Sequence, residues 1–289
     1  MIPTSFEYHR PGSLDEAIAM LRTYGDGAKL LAGGHSLIPL MKLRLAAPEH
    51  LVDLGRVPGL DYIRPDGDAI AIGALTTHAE VAGSALLRRS ATAVAEAAAS
   101  IGDVQVRNCG TIGGSLAHAD PGADLPGVML AFEAELVARG PGGARTIRAS
   151  DFFTDLLTTA LESNEVLTEV RLPALPANSG SAYLKMPNPA SGYAVVGIAA
   201  IVSLRGDSVA SARVGISGVA EKAVRATAAE AALAGASATP DAVRQAAQRA
   251  ADDLEPIGDI HASAEFRSHL VRVYTERALN AALQRARGT

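Results

Sequence analysis

The sequence predicts an α+β protein divided into two domains, on three observations. At 289 residues the chain exceeds the ~100–200 residues usual for one domain. Short apolar strands alternate with amphipathic helices in its first part, whereas beyond residue 180 strands come first and helices follow. Between the two patterns, Pro173-Ala174-Leu175-Pro176-Ala177-Asn178-Ser179-Gly180 is rich in proline, glycine and small polar residues, the composition of a linker.

Taken in order, Ser13-Leu14-Asp15-Glu16 opens a helix as a capping box, with Ala17, Ile18 and Leu21 facing inward and Gly25 near its stop. Lys29 to Ala32 is a short buried strand, Leu37 to Leu43 a helical turn or short helix, and His50 to Leu54 a second strand, so the first ~55 residues form a small α/β unit. Ala69 to Ala74 is strand-like, Thr77 to Glu80 a second capping box, and an Ala-rich helix covers about Ala91 to Ala99. A glycine-dense loop over Gly110 to Gly122 precedes an apolar helix near Leu125 to Phe132. Leu136 to Arg139 and Arg145 to Arg148 flank Gly140-Pro141-Gly142-Gly143 as a hairpin, and Glu165 to Leu172 is one more strand. Beyond the linker come strands at Ala182 to Met186, Val195 to Leu204 and Val209 to Gly218. Helices over about Thr239 to Leu254 and Ser263 to Ala286 follow.

Composition narrows the function. Hydrophobic residues make up 48% of the chain with no tryptophan, so the cores must be packed by Ala, Val, Leu and Ile. A net charge of −5 gives no electrostatic case for nucleic acid or an anionic membrane surface. Cys109 is the single cysteine, which rules out an internal disulfide and the cysteine sets of iron–sulfur clusters or structural zinc. The start has no signal peptide, and the longest apolar stretch, Ala194 to Val202, is far short of a membrane span, so a cytoplasmic protein is expected.

Two segments carry candidate chemistry. In Leu31-Ala32-Gly33-Gly34-His35-Ser36, two glycines between a strand and a helical turn let the backbone approach a ligand, and their N–H groups suit a diphosphate. In Asn108-Cys109-Gly110-Thr111-Ile112-Gly113-Gly114-Ser115, the glycines again supply a backbone-lined cradle and Thr111 and Ser115 add hydroxyls; Asp124 can accept from sugar or ribityl hydroxyls. An ordinary turn and a long irregular loop are the bland alternatives, though such loops in compact domains more often have a function. The Gly-x-Gly-x-x-Gly fingerprint is missing from both, which argues against a Rossmann site. His35, His78 and His118 have no second ligand at metal-binding spacing, so no metal site is expected in the chain. Asp120 and Asp124 form no evident acid/base pair.

Together the two segments resemble the FAD-binding medium subunit of the xanthine oxidase family of molybdenum hydroxylases, most nearly that of aerobic carbon monoxide dehydrogenase. The marks are Ala-Gly-Gly-x-Ser, here Ala32 to Ser36, and Thr-Ile-Gly-Gly followed by Pro and Asp, here Thr111 to Gly114 with Pro121 and Asp124. The resemblance covers essentially the whole chain, from Phe6-Glu7-Tyr8-His9-Arg10-Pro11 onward; Ser115 stands where many relatives have Asn, and either side chain can hydrogen-bond.

The resemblance implies a two-subdomain PCMH-type FAD-binding domain over residues 1–177, with subdomains at about 1–55 and 56–177. A C-terminal domain of a small antiparallel sheet with helices then covers 178–289. It implies that Ala32, Gly33, Gly34, His35, Ser36 and Leu37, with Gly110, Thr111, Gly113, Gly114 and Ser115, wrap the FAD diphosphate. Ala123 and Asp124 would meet the ribityl or ribose end, and Ile101, Val166 and Leu167 would make backbone or apolar contacts. Lys185 would lie near the flavin's polar edge, and Tyr193 would control access to one face of the ring. No catalytic acid, base or nucleophile is implied, since the redox chemistry is the cofactor's. The implied partners are a large subunit with a molybdopterin-type molybdenum cofactor and a small subunit with two [2Fe–2S] clusters, in a dimer of heterotrimers. An N-heterocycle or aldehyde hydroxylase of the same architecture, a self-contained flavoprotein oxidase and a non-enzymatic scaffold are the alternatives.

Overall fold

The computed structural model describes residues 2–288. The first unit contains β1 (Glu7–His9), α1 (Leu14–Tyr24), β2 (Ala28–Leu31), α2 (Leu37–Lys42) and β3 (His50–Asp53). Its three strands form a parallel sheet in the order β1-β3-β2, as short strands joined through helices require. The Ser13 hydroxyl accepts from Glu16 N at the start of α1, and Ala17, Ile18 and Leu21 are buried against the sheet. Glu16 reaches back to Gly12 N and not to Ser13 N, so the capping is one residue off the box pattern.

The second subdomain contains β4 (Ile63–Asp66), β5 (Ala69–Gly73), α3 (His78–Gly83), α4 (Ala85–Ser90), α5 (Thr92–Ser100), α6 (Val104–Cys109), α7 (Ile112–His118) and α8 (Asp124–Phe132). It continues with β6 (Glu135–Gly140), β7 (Gly143–Arg148), α9 (Ala149–Phe152), β8 (Phe153–Asp155), β9 (Thr158–Thr159) and β10 (Val166–Leu172). Five strands form a sheet in the order β4-β5-β10-β6-β7, with β10 antiparallel to both β5 and β6. The Thr77–Glu80 box is complete at the start of α3. The segment read as an irregular glycine loop instead contains α7. Thr111 caps that helix, accepting from Gly114 N, and the two glycines fall in its first turn, where intrahelical partners are lacking in any case.

The remaining elements are β11 (Ser179–Pro187), β12 (Ala194–Arg205), β13 (Ser208–Ser217), β14 (Val224–Arg225), α10 (Thr227–Leu233), α11 (Pro240–Gln248) and α12 (Ala264–Ala286). The strands make one antiparallel sheet in sequence order. The long apolar run of β12 is explained by burial on both faces. Ala199 and Ile201, with Tyr183 of β11, enter the core shared with α5 and α8, while Val196, Ile198, Ala200 and Val202 enter the core under α12. Alternation of side chains along a strand thus seals the C-terminal sheet onto the second subdomain with one face and onto its own helices with the other. Among the described residues no helix is long and apolar enough to cross a membrane.

Candidate functional site

A cavity of about 600 Å³ opens between the first α/β unit and the second subdomain, with Ser191 to Tyr193 of the β11–β12 turn at one wall. That volume is within the range of small-molecule sites. Every binding residue expected from the sequence lines it, from Ala32 to Leu37 through Ile101, Gly110, Thr111, Gly113 to Ser115, Ala123, Asp124, Val166, Leu167 and Tyr193, except Lys185.

The first loop connects β2 to α2. Gly34 has φ +73°, a left-handed conformation natural to glycine, and Gly33 has no room for a Cβ because the Cys109 carbonyl lies against it. The N–H groups of Gly33, Gly34, His35 and Ser36 donate to no other group among the described residues. His35 Nδ1 lies 2.8 Å from Gly33 O, pinning the ring to its own turn. Ser36, at the N-cap of α2, makes no capping bond with its hydroxyl. Four successive unengaged backbone donors on residues that line a cavity suit a concave anion site.

The second loop is similar in composition but different in use. Ile112 N donates to Thr76 O at 3.0 Å, Gly113 N to Ala74 O at 2.9 Å and Ser115 N to Thr111 O at 3.0 Å. Gly114 N donates to Thr111 Oγ1 at 3.1 Å. These donors are engaged inside the fold, so the backbone-lined cradle expected of this loop is not made by its N–H groups. Its glycines permit close approach. A Cβ on Gly113 would come within 2.5 Å of Ala74 Cβ, and one on Gly110 within 2.9 Å of the His78 ring. Gly114 stays exposed on the cavity wall with Ser115 beside it, and a Cβ there would come within 2.8 Å of the capping Thr111 Oγ1.

Asp124 begins α8 and is 4% exposed. Its Oδ1 is 2.8 Å from Lys185 Nζ and accepts from the Tyr183 hydroxyl at 2.5 Å. Burial pushes the Asp124 carboxyl up, while the Lys185 ammonium and the Tyr183 hydroxyl oppose that shift. Lys185 also donates to Gly192 O at 2.7 Å, so its charge is matched by Asp124 and it stands behind the cavity wall, not on it. Tyr193 is 41% exposed. Desolvation pushes its phenol up, the Asp120 carboxylate adds to this, and hydrogen bonding with the Ser36 hydroxyl pulls the other way.

Sequence reasoning missed His78 as a wall residue. It is 4% exposed, its backbone N–H donates to Gly110 O at 2.9 Å, and its ring Nδ1 has no partner. Desolvation, helped by the nearby His35, lowers its pKa to about 4, so the ring is neutral at pH 7. The Thr77–Glu80 box placed it at a helix start, but nothing local shows that this start abuts the second loop. Ala74, Leu75, Gly102, Val106, Leu161 and Glu165 are among the further wall residues that carry no motif of their own.

The fit to FAD rests on this geometry: four free backbone donors for a diphosphate, an exposed glycine beside Ala32 of the same loop, and apolar walls at Ile101, Val166 and Leu167. The family model for the FAD binding domain in molybdopterin dehydrogenase matches residues 4–175. The chain belongs to this family. Its C-terminal residues 181–282 match the CO dehydrogenase flavoprotein C-terminal domain. The chain is 43% identical to the carbon monoxide dehydrogenase medium chain of Hydrogenophaga pseudoflava over 99% of both chains. It is 40% identical to the 6-hydroxypseudooxynicotine dehydrogenase complex subunit alpha of Paenarthrobacter nicotinovorans, over all of this chain and 98% of that one. A solved carbon monoxide dehydrogenase from Hydrogenophaga pseudoflava, lacking the Mo-pyranopterin moiety of its cofactor, superposes with TM-score 0.95 at 46% identity over 99% of each chain. This member of the molybdopterin dehydrogenase family is thus an FAD-binding oxidoreductase subunit.

Proposed function

We propose that the chain is the electron-transferring medium subunit of a heterotrimeric, molybdenum-containing carbon monoxide dehydrogenase located in the cytoplasm. The four unengaged donors of residues 33–36 are the observation that carries the site assignment. Residues 1–177 would hold FAD, the first loop with Gly114 and Ser115 taking the diphosphate and Tyr193 the ring end, and residues 178–289 would close the site. FAD, when bound, exchanges electrons singly or in pairs, and this chain's residues supply orientation and a water-poor wall. Electrons come from two [2Fe–2S] clusters of a small subunit, the substrate being oxidised at the molybdenum cofactor of a large subunit, and leave to an external acceptor. The complex is a dimer of such heterotrimers. The 43% identity to a carbon monoxide dehydrogenase medium chain over nearly the full length supports CO as substrate. The 40% identity to a subunit named for a different dehydrogenase supports an N-heterocycle or aldehyde hydroxylase as the second reading.

Purifying the native complex through this chain tests both. FAD, iron–sulfur absorbance and molybdenum with CO-dependent dye reduction are expected. The same cofactors with no response to CO would turn the assignment to the second reading, and a chain purified without flavin would overturn the site.

A further inference from the structure

Glu7, His9 and His50 gather on one face of the parallel sheet, outside the flavin cavity. Glu7 pairs in register with His50 across β1 and β3, and His9, two residues along β1, returns to the same face. Their ligand atoms are mutually close: His9 Nε2 to His50 Nδ1 is 3.1 Å, His50 Nδ1 to Glu7 Oε2 is 3.4 Å, and His9 Nε2 to Glu7 Oε2 is 3.8 Å. Ligands about 2.0–2.1 Å from a tetrahedral zinc ion stand roughly 3.3–3.4 Å apart, so these three atoms approximate one face of such a tetrahedron.

The imidazoles are held in place before any ion arrives. The Tyr24 ring, at the end of α1, stacks on His50 with centroids 3.8 Å apart and a 14° tilt, and on His9 at 4.9 Å and 23°. The imidazoles are only 17% and 19% exposed while the Glu7 carboxylate is 72% exposed, so the two nitrogens are set in the surface and the carboxylate closes over them from solvent. Two imidazoles and one carboxylate select a borderline d-block cation over magnesium or calcium, which prefer all-oxygen sets.

We propose that Glu7, His9 and His50 form a surface site for Zn²⁺ or a similar divalent transition-metal ion, water completing the fourth position. Both rings bind as neutral tautomers carrying hydrogen on the far nitrogen, so the His9–His50 hydrogen bond of the metal-free pair gives way to the ion. Coordination fastens β1 to β3 and with it the start of the chain to the first α/β unit.

The test is titration of the FAD-loaded full chain, freed of metal by a chelator, with Zn²⁺ against a chromophoric competitor and with Co²⁺ followed by its visible absorption. One equivalent is expected to bind, with a Co²⁺ spectrum typical of low coordination number. His9→Ala and His50→Ala should each weaken Zn²⁺ binding by about tenfold or more, since even outer-shell losses cost 10–100-fold. Glu7→Gln provides a second variant that leaves the aromatic stack intact, and unchanged flavin content and far-UV spectra show that folding persists. No stoichiometric binding to the unaltered chain, or binding undiminished in all three folded variants, overturns the site.

Discussion

The two glycine loops read alike and work differently. In the loop after β2, backbone N–H groups from Gly33 to Ser36 are left open to the cavity. In the turn that starts α7, Ile112, Gly113, Gly114 and Ser115 all spend theirs on Thr76, Ala74 and Thr111. Glycine permits close packing in both loops, Gly33 against the Cys109 carbonyl and Gly113 against Ala74, and the loops differ in that only the first leaves its N–H groups unengaged. A glycine-rich motif therefore identifies where a backbone comes close to something, and only the hydrogen-bond inventory shows whether that something is a ligand or the protein itself.

The largest effect expected from this contrast is at Gly114. Gly114→Val puts a branched side chain onto the exposed cavity wall, its Cβ displacing the Thr111 hydroxyl 2.8 Å away, and flavin content should fall to background while the apo chain still folds at reduced stability; a folded variant with normal flavin content would refute the placement. Its neighbour should behave in the opposite way. Gly113→Val drives a side chain into Ala74 and should destabilise the fold by about 3 kcal/mol, read as a lowered denaturation midpoint whether or not FAD is present. Next comes His78, which buttresses the second loop. Its folded pKa of about 4 lies below the unfolded value of 6.5, so between these the unfolded chain binds more protons. Stability is therefore full above pH 6.5 and declines by roughly 3 kcal/mol as pH falls toward 4. His78→Gln should flatten that acid limb of the melting temperature, and an unaltered limb would assign it to other groups. The smallest change is Ser36→Ala, which removes one hydroxyl from the open loop and should weaken FAD by about 0.5–1.5 kcal/mol, up to about tenfold in Kd, with no loss of chain stability. A matched loss of stability would mean that this loop, too, is structural.

Much of this was legible in the sequence because it is local. Ser13 and Thr77 announce their helices by side-chain capping, the hairpin at 140–143 announces itself by glycine and proline, and the apolar run over Val195 to Leu204 reads as the strand that β12 is. The wall residues from Ala32 to Ser36 and from Gly110 to Ser115 were legible for the same reason, each loop being contiguous. What was not legible depends on partners far away in the chain. His78 meets Gly110 32 residues on. Lys185 looked like a cation for the flavin edge, yet Asp124, 61 residues earlier, holds its ammonium in a buried pair. The helical character of Ile112–His118 was hidden by its glycines, whose low helix propensity is offset by the Thr111 cap and by carbonyls contributed from residues 74–76.

The Asp124–Lys185 bond crosses from α8 to β11. Separating a buried pair strands a charge at a cost of about 3–5 kcal/mol, far more than a surface contact. The two halves of this chain match separate family models and invite treatment as interchangeable modules. Anyone grafting the flavin half onto another reductase must nonetheless carry the lysine strand along with it, or replace the aspartate before making the cut.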